Sequence, residues 1–442
     1  MSDEAEVTAL GSESTGRLTG LEKGLPGLGH DRVDLASIAG AGWNLLRGDL
    51  PLPACTLGRK ALEHNSKRML RFLEAFAPNI VLCPHGKTTM SPQLFQRQLA
   101  DGCWGISLAT FHQLRAARRL GFDRIFYANE LVGLQEIAFV LQELGADPAF
   151  DFYCLVDSID GVERLRRSAE QSSPGRPVQV LVEGGFPGGR CGVRTVDSAL
   201  DVARAVHASF PHLCLVGLEG YEGVLQTKPK DERQTAVPSF LDILLEMIRA
   251  CDAEGLFNAR DRIMLSAGGS SFYDLVADIP RYLQLSRQVQ IVIRSGCYLT
   301  HDSGLYARLF EDLKQRNDIA QATHLSFEPA LEIWCHVLST PEPDRIVLGA
   351  GQRDFGHDAG PPVMLKTAQR GVCTRLLAAG SYEIAIINDQ HTTIKLPVGH
   401  GLGIGDMVAL SPSHPCTTFD KWRLIYEIDD SYNVVGAIET FF

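Results

Sequence analysis

Asn79-Ile80-Val81-Leu82-Cys83-Pro84 is a short apolar run that leads straight into a polar turn, His85-Gly86-Lys87-Thr88-Thr89. So short a run does not make a helix. The segment before it already has helical spacing, with Leu62, Met69, Leu70, Leu73 and Phe76 on one face. The order is therefore helix, buried strand, loop. The same unit recurs, with strands expected at 79–84, 103–108, 124–129, 151–157, 178–183, 213–219, 262–267 and 290–295. Segments long enough for a helix separate almost all of them, the crossover that parallel strands require. Such a count suits a closed (β/α)8 barrel of roughly 250 residues. An open doubly wound sheet has the same alternation, so the count alone leaves both standing.

After residue 320 helical periodicity is largely lost. Apolar segments at 332–338, 372–378, 383–387, 392–396, 407–410 and 434–441 alternate with Gly and Pro, as in a smaller β domain. The expected organisation is an arm over 1–54 that docks on the β domain, a barrel over 55–322 and a β domain over 323–442. With 45% hydrophobic and 21% charged residues among 442, the chain has the composition of a globular protein. A formal charge of −11 without a Lys/Arg stripe argues against nucleic acid as a partner. Eleven cysteines, many inside apolar runs such as Leu213-Cys214-Leu215, read as reduced thiols. With an acidic start and no run of about 18 apolar residues, the expectation is a cytoplasmic protein without a membrane partner.

Barrel enzymes carry their reactive groups on loops after the carboxyl ends of strands. Lys87 lies on such a loop; a lone lysine is ordinarily a solvated charge, but one desolvated beside a buried strand has a lowered pKa and is competent to form a Schiff base. Gly268-Gly269-Ser270 follows the seventh strand, where glycines let backbone N–H groups turn toward a phosphate; many such turns serve packing only. Arg190 and Arg294 offer hydrogen bonds to an anionic aromatic cofactor. In the β domain, His414 and Cys416 are two residues apart and share a face if extended. That pair of ligand types suits zinc in a catalytic site with open positions, although His-x-Cys is frequent by chance.

From about Leu52 onward these segments resemble the fold-type III, alanine racemase-like pyridoxal phosphate enzymes, and among them the D-serine dehydratase-like and D-threonine aldolase group. Pro84-His85-Gly86-Lys87-Thr88 is similar to that group's Pro-His-x-Lys-Thr signature, whose lysine carries the cofactor. Gly189-Arg190-Cys191-Gly192 resembles the segment whose arginine approaches the cofactor's phenolic oxygen, and Tyr221 matches a tyrosine beside the cofactor. Gly268-Gly269-Ser270 and Arg294-Ser295-Gly296-Cys297-Tyr298 resemble cofactor-binding segments, the first and the Gly296-Cys297 backbone at the phosphate. The resemblance implies the closed barrel, pyridoxal 5'-phosphate on Lys87, contacts from His85 and Tyr298 as well, a homodimer, and a metal on His414 and Cys416. His-x-Cys resembles the zinc-using dehydratase branch, whereas the aldolase branch has His-x-Asp. Gly86, Thr89-Met90 and Gly349-Ala350-Gly351-Gln352-Arg353 depart from the group's patterns.

The expected activity is β-elimination from a small D-3-hydroxy amino acid, as in D-serine dehydratase, giving a 2-oxo acid and ammonia. Lys87 would take the α-proton, Tyr221 would stand beside the reacting centre, and zinc would assist loss of the hydroxyl. The nearest rival is retro-aldol cleavage of the D-threonine aldolase type; a racemase would need a second base, and a non-catalytic pyridoxal phosphate carrier would need no metal pair.

Overall fold

The computed structural model describes residues 17–27, 33–258, 262–369, 371–375 and 381–442. Eight parallel strands form the first layer: β1 (Ile80–Leu82), β2 (Ile106–Leu108), β3 (Arg124–Glu130), β4 (Asp151–Val156), β5 (Val178–Gly184), β6 (Leu213–Gly220), β7 (Arg262–Ala267) and β8 (Gln288–Ile293). From β2 to β8 each strand pairs with its neighbour in sequence, and β8 returns to β1 through Ile291↔Ile80 and Ile293↔Leu82. Between β1 and β2 the ring closes by a bridge, His85↔Ser107. Trp104 N–H donates to Leu82 O at 2.7 Å and Ser107 N–H to Pro84 O at 2.9 Å across the same seam. The sheet is a barrel, and the open doubly wound alternative falls.

Side-chain parity divides the strands between two cores. Phe126, Leu181, Val216, Met264 and Val292 point into the barrel and pack on one another, while Ile125, Val180, Val182, Leu215 and Ile291 point outward to the helices. Burial on both faces explains why the strands read as unbroken apolar runs. The covering helices start at side-chain caps where the sequence offers them, Thr110, Ser158 and Thr195 among them.

The second layer is antiparallel around the long strand Leu331–Glu342, which pairs with Met407–Ser411, Arg345–Leu348 and Ala54–Gly58. The expected segments at 332–338, 383–387, 392–396, 407–410 and 434–441 all overlap strands, and 372–378 does so over Val372–Arg375, residues 376–378 lying outside the described residues. Arg345–Leu348, Val363–Gln369 and Leu424–Ile428 are additional. Ala54–Gly58 lies antiparallel to Leu331–Glu342 and parallel to Leu424–Ile428, so the chain enters this sheet before it enters the barrel. Leu18, Leu25, Leu35, Ile38, Leu45 and Leu50 pack on Trp334, Leu424, Tyr426 and Val434, and Tyr426 donates to Gly24 O at 2.9 Å.

Among the contacts that fix one layer on the other, two stand out. Glu427 receives Arg59 at 2.9 Å and Arg97 at 3.1 Å. At Gly304, beyond β8, an added Cβ would lie 2.6 Å from Ser413 Cα, so only glycine lets the 413–416 loop sit against the barrel mouth; Leu305 N–H donates to Ser413 O at 3.0 Å there. Among the described residues no helix is long and apolar enough to cross a membrane.

Candidate functional site

A cavity of about 630 Å3 opens where the barrel loops meet the 413–416 loop, a size suited to a cofactor or small ligand. His85, Lys87, Arg190, Tyr221, Gly269, Ser270, Arg294, Gly296, Cys297, His414 and Cys416 line it. Of the residues singled out from sequence, only Gly268 and Tyr298 do not.

Lys87 sits in the short 3-10 turn Gly86–Thr88. Its neighbours are buried while Lys87 itself is exposed in the cavity, so protein atoms alone do not enclose it as the desolvation argument supposed. Gly86 has a packing reason: a Cβ there would meet Phe95 Cζ at 2.6 Å and Ile106 Cγ2 at 2.9 Å. Gly296 is constrained in the same way, since a Cβ would fall 2.5 Å from His85 O and 2.7 Å from Thr88 Oγ1. The loop after β8 thus lies directly on the lysine turn. Burial first, and then Lys87, Arg294 and Arg190, hold the His85 pKa well below the usual imidazole range, which leaves a neutral ring.

The Arg190 guanidinium stands 4.8 Å over the Tyr221 ring, a cation–π contact. Burial above all pushes the Tyr221 phenol up to about 12, so it keeps its proton. Arg294 is buried, ion-paired with Glu219 and bonded to Gly220 O at 3.2 Å. Burial, and then the Glu219 carboxylate, push the Glu183 carboxyl up, and it enters the cavity wall as a neutral acid.

The glycine pair after β7 behaves differently from the sequence expectation. Gly268 and Gly269 N–H groups both donate to the buried Glu222 carboxylate at 3.0 Å, so these amides are already spent. Glu222 instead fixes the loop and leaves Ser270 at the cavity, where its Oγ accepts from Cys297 N–H at 3.4 Å. Tyr298 is turned away: its hydroxyl meets Gln98 at 3.2 Å and Cys103 Sγ at 3.7 Å in the helix-facing core. Cys297, its neighbour in the turn after β8, takes the cavity side.

His414 and Cys416 come together, with a third group the sequence reading had assigned only through its backbone. The metal-ligating atoms of Cys297, His414 and Cys416 all lie within 4.8 Å of one another. Cys416 Sγ is 3.5 Å from Cys297 Sγ and donates to Thr88 Oγ1 at 3.4 Å. His414 Nδ1 donates to Asp358 Oδ2 at 2.7 Å, which leaves Nε2 for a metal, the carboxylate–histidine arrangement of metal sites. Burial works against the Asp358 carboxylate, but bonds from Thr417 and His414 outweigh it and hold its pKa below the usual carboxylate range. Asp358, Glu183 and Tyr306 are residues that the sequence did not single out. Each is a lone residue in its segment, brought in by tertiary contact. Asn388-Asp389-Gln390-His391 is not on the cavity wall; Gln352 N–H donates to Asn388 O at 2.9 Å.

The Putative serine dehydratase domain family matches residues 330–428. A D-threonine aldolase of Arthrobacter sp is 27% identical over 373 residues, 83% of this chain and 86% of that protein. The solved D-threonine aldolase of Filomicrobium marinum superposes with a TM-score of 0.73 at 21% identity, covering 90% of this chain and 97% of that one. These likenesses support placing the chain with the fold-type III, alanine racemase-like pyridoxal phosphate group, whose fold it has. The D-threo-3-hydroxyaspartate dehydratase of Delftia sp. HT23 has the same fold, with a TM-score of 0.67 at 19% identity over 90% of this chain and 98% of that one. Other structures under that dehydratase name carry alanine for a histidine or, two positions on, for a cysteine, the latter in metal-free form.

The cavity fits a fold-type III cofactor. On its wall, His85 Nδ1 and Arg294 Nε are buried without a hydrogen-bond partner among the described residues, and such orphans are rare unless a ligand completes them. Replacing Arg190 with alanine is expected to weaken cofactor binding roughly 10-fold or more and shift the bound absorption band, through loss of a charge-assisted hydrogen bond of about 1.5–3 kcal/mol; cofactor titration followed by absorbance checks it. Replacing Asp358 with alanine is expected to lower metal affinity about 10- to 100-fold at unchanged cofactor affinity, measured by competition with a metal indicator.

Proposed function

We propose that this chain is a pyridoxal phosphate-dependent lyase that eliminates water from a small D-3-hydroxy amino acid, with His414 and Cys416 holding zinc. The net reaction converts the hydroxy amino acid to a 2-oxo acid and ammonium: the Cα–H and Cβ–O bonds break, and the water lost is regained when the C–N bond is hydrolysed. The observation that carries this reading is that the imidazole and thiol of the β domain stand on the wall of the cavity into which Lys87 projects, Cys416 bonding Thr88, the residue next to Lys87.

Pyridoxal phosphate, when bound, supplies the electron sink for the negative charge developing at Cα. Lys87 anchors it and afterwards accepts the α-proton at Nζ. Arg190, stacked on Tyr221, would serve the cofactor's phenolic oxygen, the neutral His85 would add no charge, and Arg294 is held in place by Glu219. His414, oriented by Asp358, and Cys416 would hold a divalent ion whose Lewis acidity serves the β-hydroxyl.

A second reading, retro-aldol cleavage, is supported by the name of the Arthrobacter relative. Cys416 weighs toward elimination, because the D-threo-3-hydroxyaspartate dehydratase has a histidine and, two positions on, a cysteine, and its variant with alanine for that cysteine was solved in metal-free form. The deciding experiment incubates the holoenzyme with D-serine, D-threonine and 3-hydroxy-D-aspartate. Ammonium with a 2-oxo acid is the expected outcome; glycine with an aldehyde would replace the proposal by the second reading.

A further inference from the structure

We propose that Cys297 is a third protein ligand, so that the metal centre of this chain is a Cys2His site rather than a two-residue one. The inference rests on the reading above that His414 and Cys416 hold a metal, and it concerns only the added sulfur. Cys297 belongs to the barrel, on the loop after β8, whereas His414 and Cys416 belong to the β domain. A centre with all three ties the two layers together at the cavity.

Three observations converge. The Cys297 and Cys416 sulfurs are 3.5 Å apart, close to the ~3.7 Å edge that a tetrahedral zinc with Zn–S of about 2.3 Å imposes. His414, Cys297 and Cys416 present their ligand atoms within 4.8 Å of one another, and the Asp358 bond already turns the imidazole so that Nε2 is free. Thr88 Oγ1 stands 3.4 Å from one sulfur and 3.8 Å from the other, placed to donate to a thiolate and settle the pair's charge.

Charge gives the physical reason for a second thiolate. Zinc with one thiolate and a neutral imidazole is a net cation, here in a cavity already lined by Lys87 and Arg190. A second thiolate makes the centre neutral, which lowers the cost of burying it. Soft sulfur donors also select zinc or cobalt over manganese or magnesium. With three protein ligands a tetrahedral ion would keep one open position for the substrate hydroxyl.

The test is cobalt(II) loading of the holoenzyme and of C297S, C297A and C416A, with absorption and zinc affinity as readouts. Wild type is expected to show tetrahedral cobalt bands and a thiolate charge-transfer intensity of two sulfurs, C297S and C297A about half that intensity. Their zinc affinity should fall more than about 100-fold, since even outer partners of a ligand are worth 10–100-fold. Retained cofactor absorbance shows that each variant is folded. A one-thiolate spectrum in wild type, unchanged in C297A while C416A abolishes it, would overturn this inference and leave the His414–Cys416 reading intact. No cobalt or zinc bound by wild type, or a Cys297–Cys416 disulfide in the active protein, would overturn both.

Discussion

Lys87→Ala is expected to remove the covalent cofactor adduct and to lower turnover by at least about 10³-fold, since a positioned base alone contributes 10²–10⁴ and the anchor is lost with it. Among the described residues Lys87 is the one lysine on the cavity wall. Its turn is held between two glycine contacts: Phe95 against Gly86 and the lysine turn itself against Gly296. A nucleophile so placed is not readily replaced from elsewhere. Lys87→Arg keeps the charge and cannot form the adduct, so it separates electrostatics from covalency. Borohydride reduction of the wild-type holoenzyme followed by peptide mapping should label Lys87, and a label on a different lysine would refute the assignment.

The barrel was legible because its strands are buried on both faces and separated by helices, so period, length and order all agree. The additional β-domain strands were not. Arg345–Leu348 is only 4 residues long, and Ala54–Gly58 is adjacent in sequence to a helix of the barrel while its partners, Leu331–Glu342 and Leu424–Ile428, arrive far later. Pairing across such a separation leaves no local period. The cavity was legible to the extent that barrel chemistry sits after strands, which brought Lys87, Arg190, Tyr221 and Arg294 to one face. What the sequence hid was the occupancy of hydrogen bonds. Nothing in Gly268-Gly269 says that the Glu222 carboxylate takes both amides, and nothing in a lone Asp358 says that it will meet His414. Cys297 and Tyr298 show the same limit one residue apart, because both lie in a turn past the strand, where no alternation tells which faces the cavity.

The division of labour between layers has a measurable consequence. Lys87, Arg190, Tyr221 and Ser270 come from barrel loops, whereas His414 and Cys416 come from a loop seated on the barrel by Gly304. Removing the metal with a strong chelator, or changing His414 to alanine, is therefore expected to lower turnover by more than about 10²-fold, the usual scale of one transition-state electrostatic group, while cofactor affinity and absorbance stay as they were. Added zinc should restore the chelated enzyme and leave the His414 variant inactive. Cys416→Asp keeps an anionic ligand with a harder donor, and its metal preference should move from zinc toward manganese. Full activity with less than about a tenth of an equivalent of metal, together with resistance to the chelator, would take the metal out of the mechanism. Cys416 would then be a small buried side chain whose replacement by alanine costs stability and spares turnover.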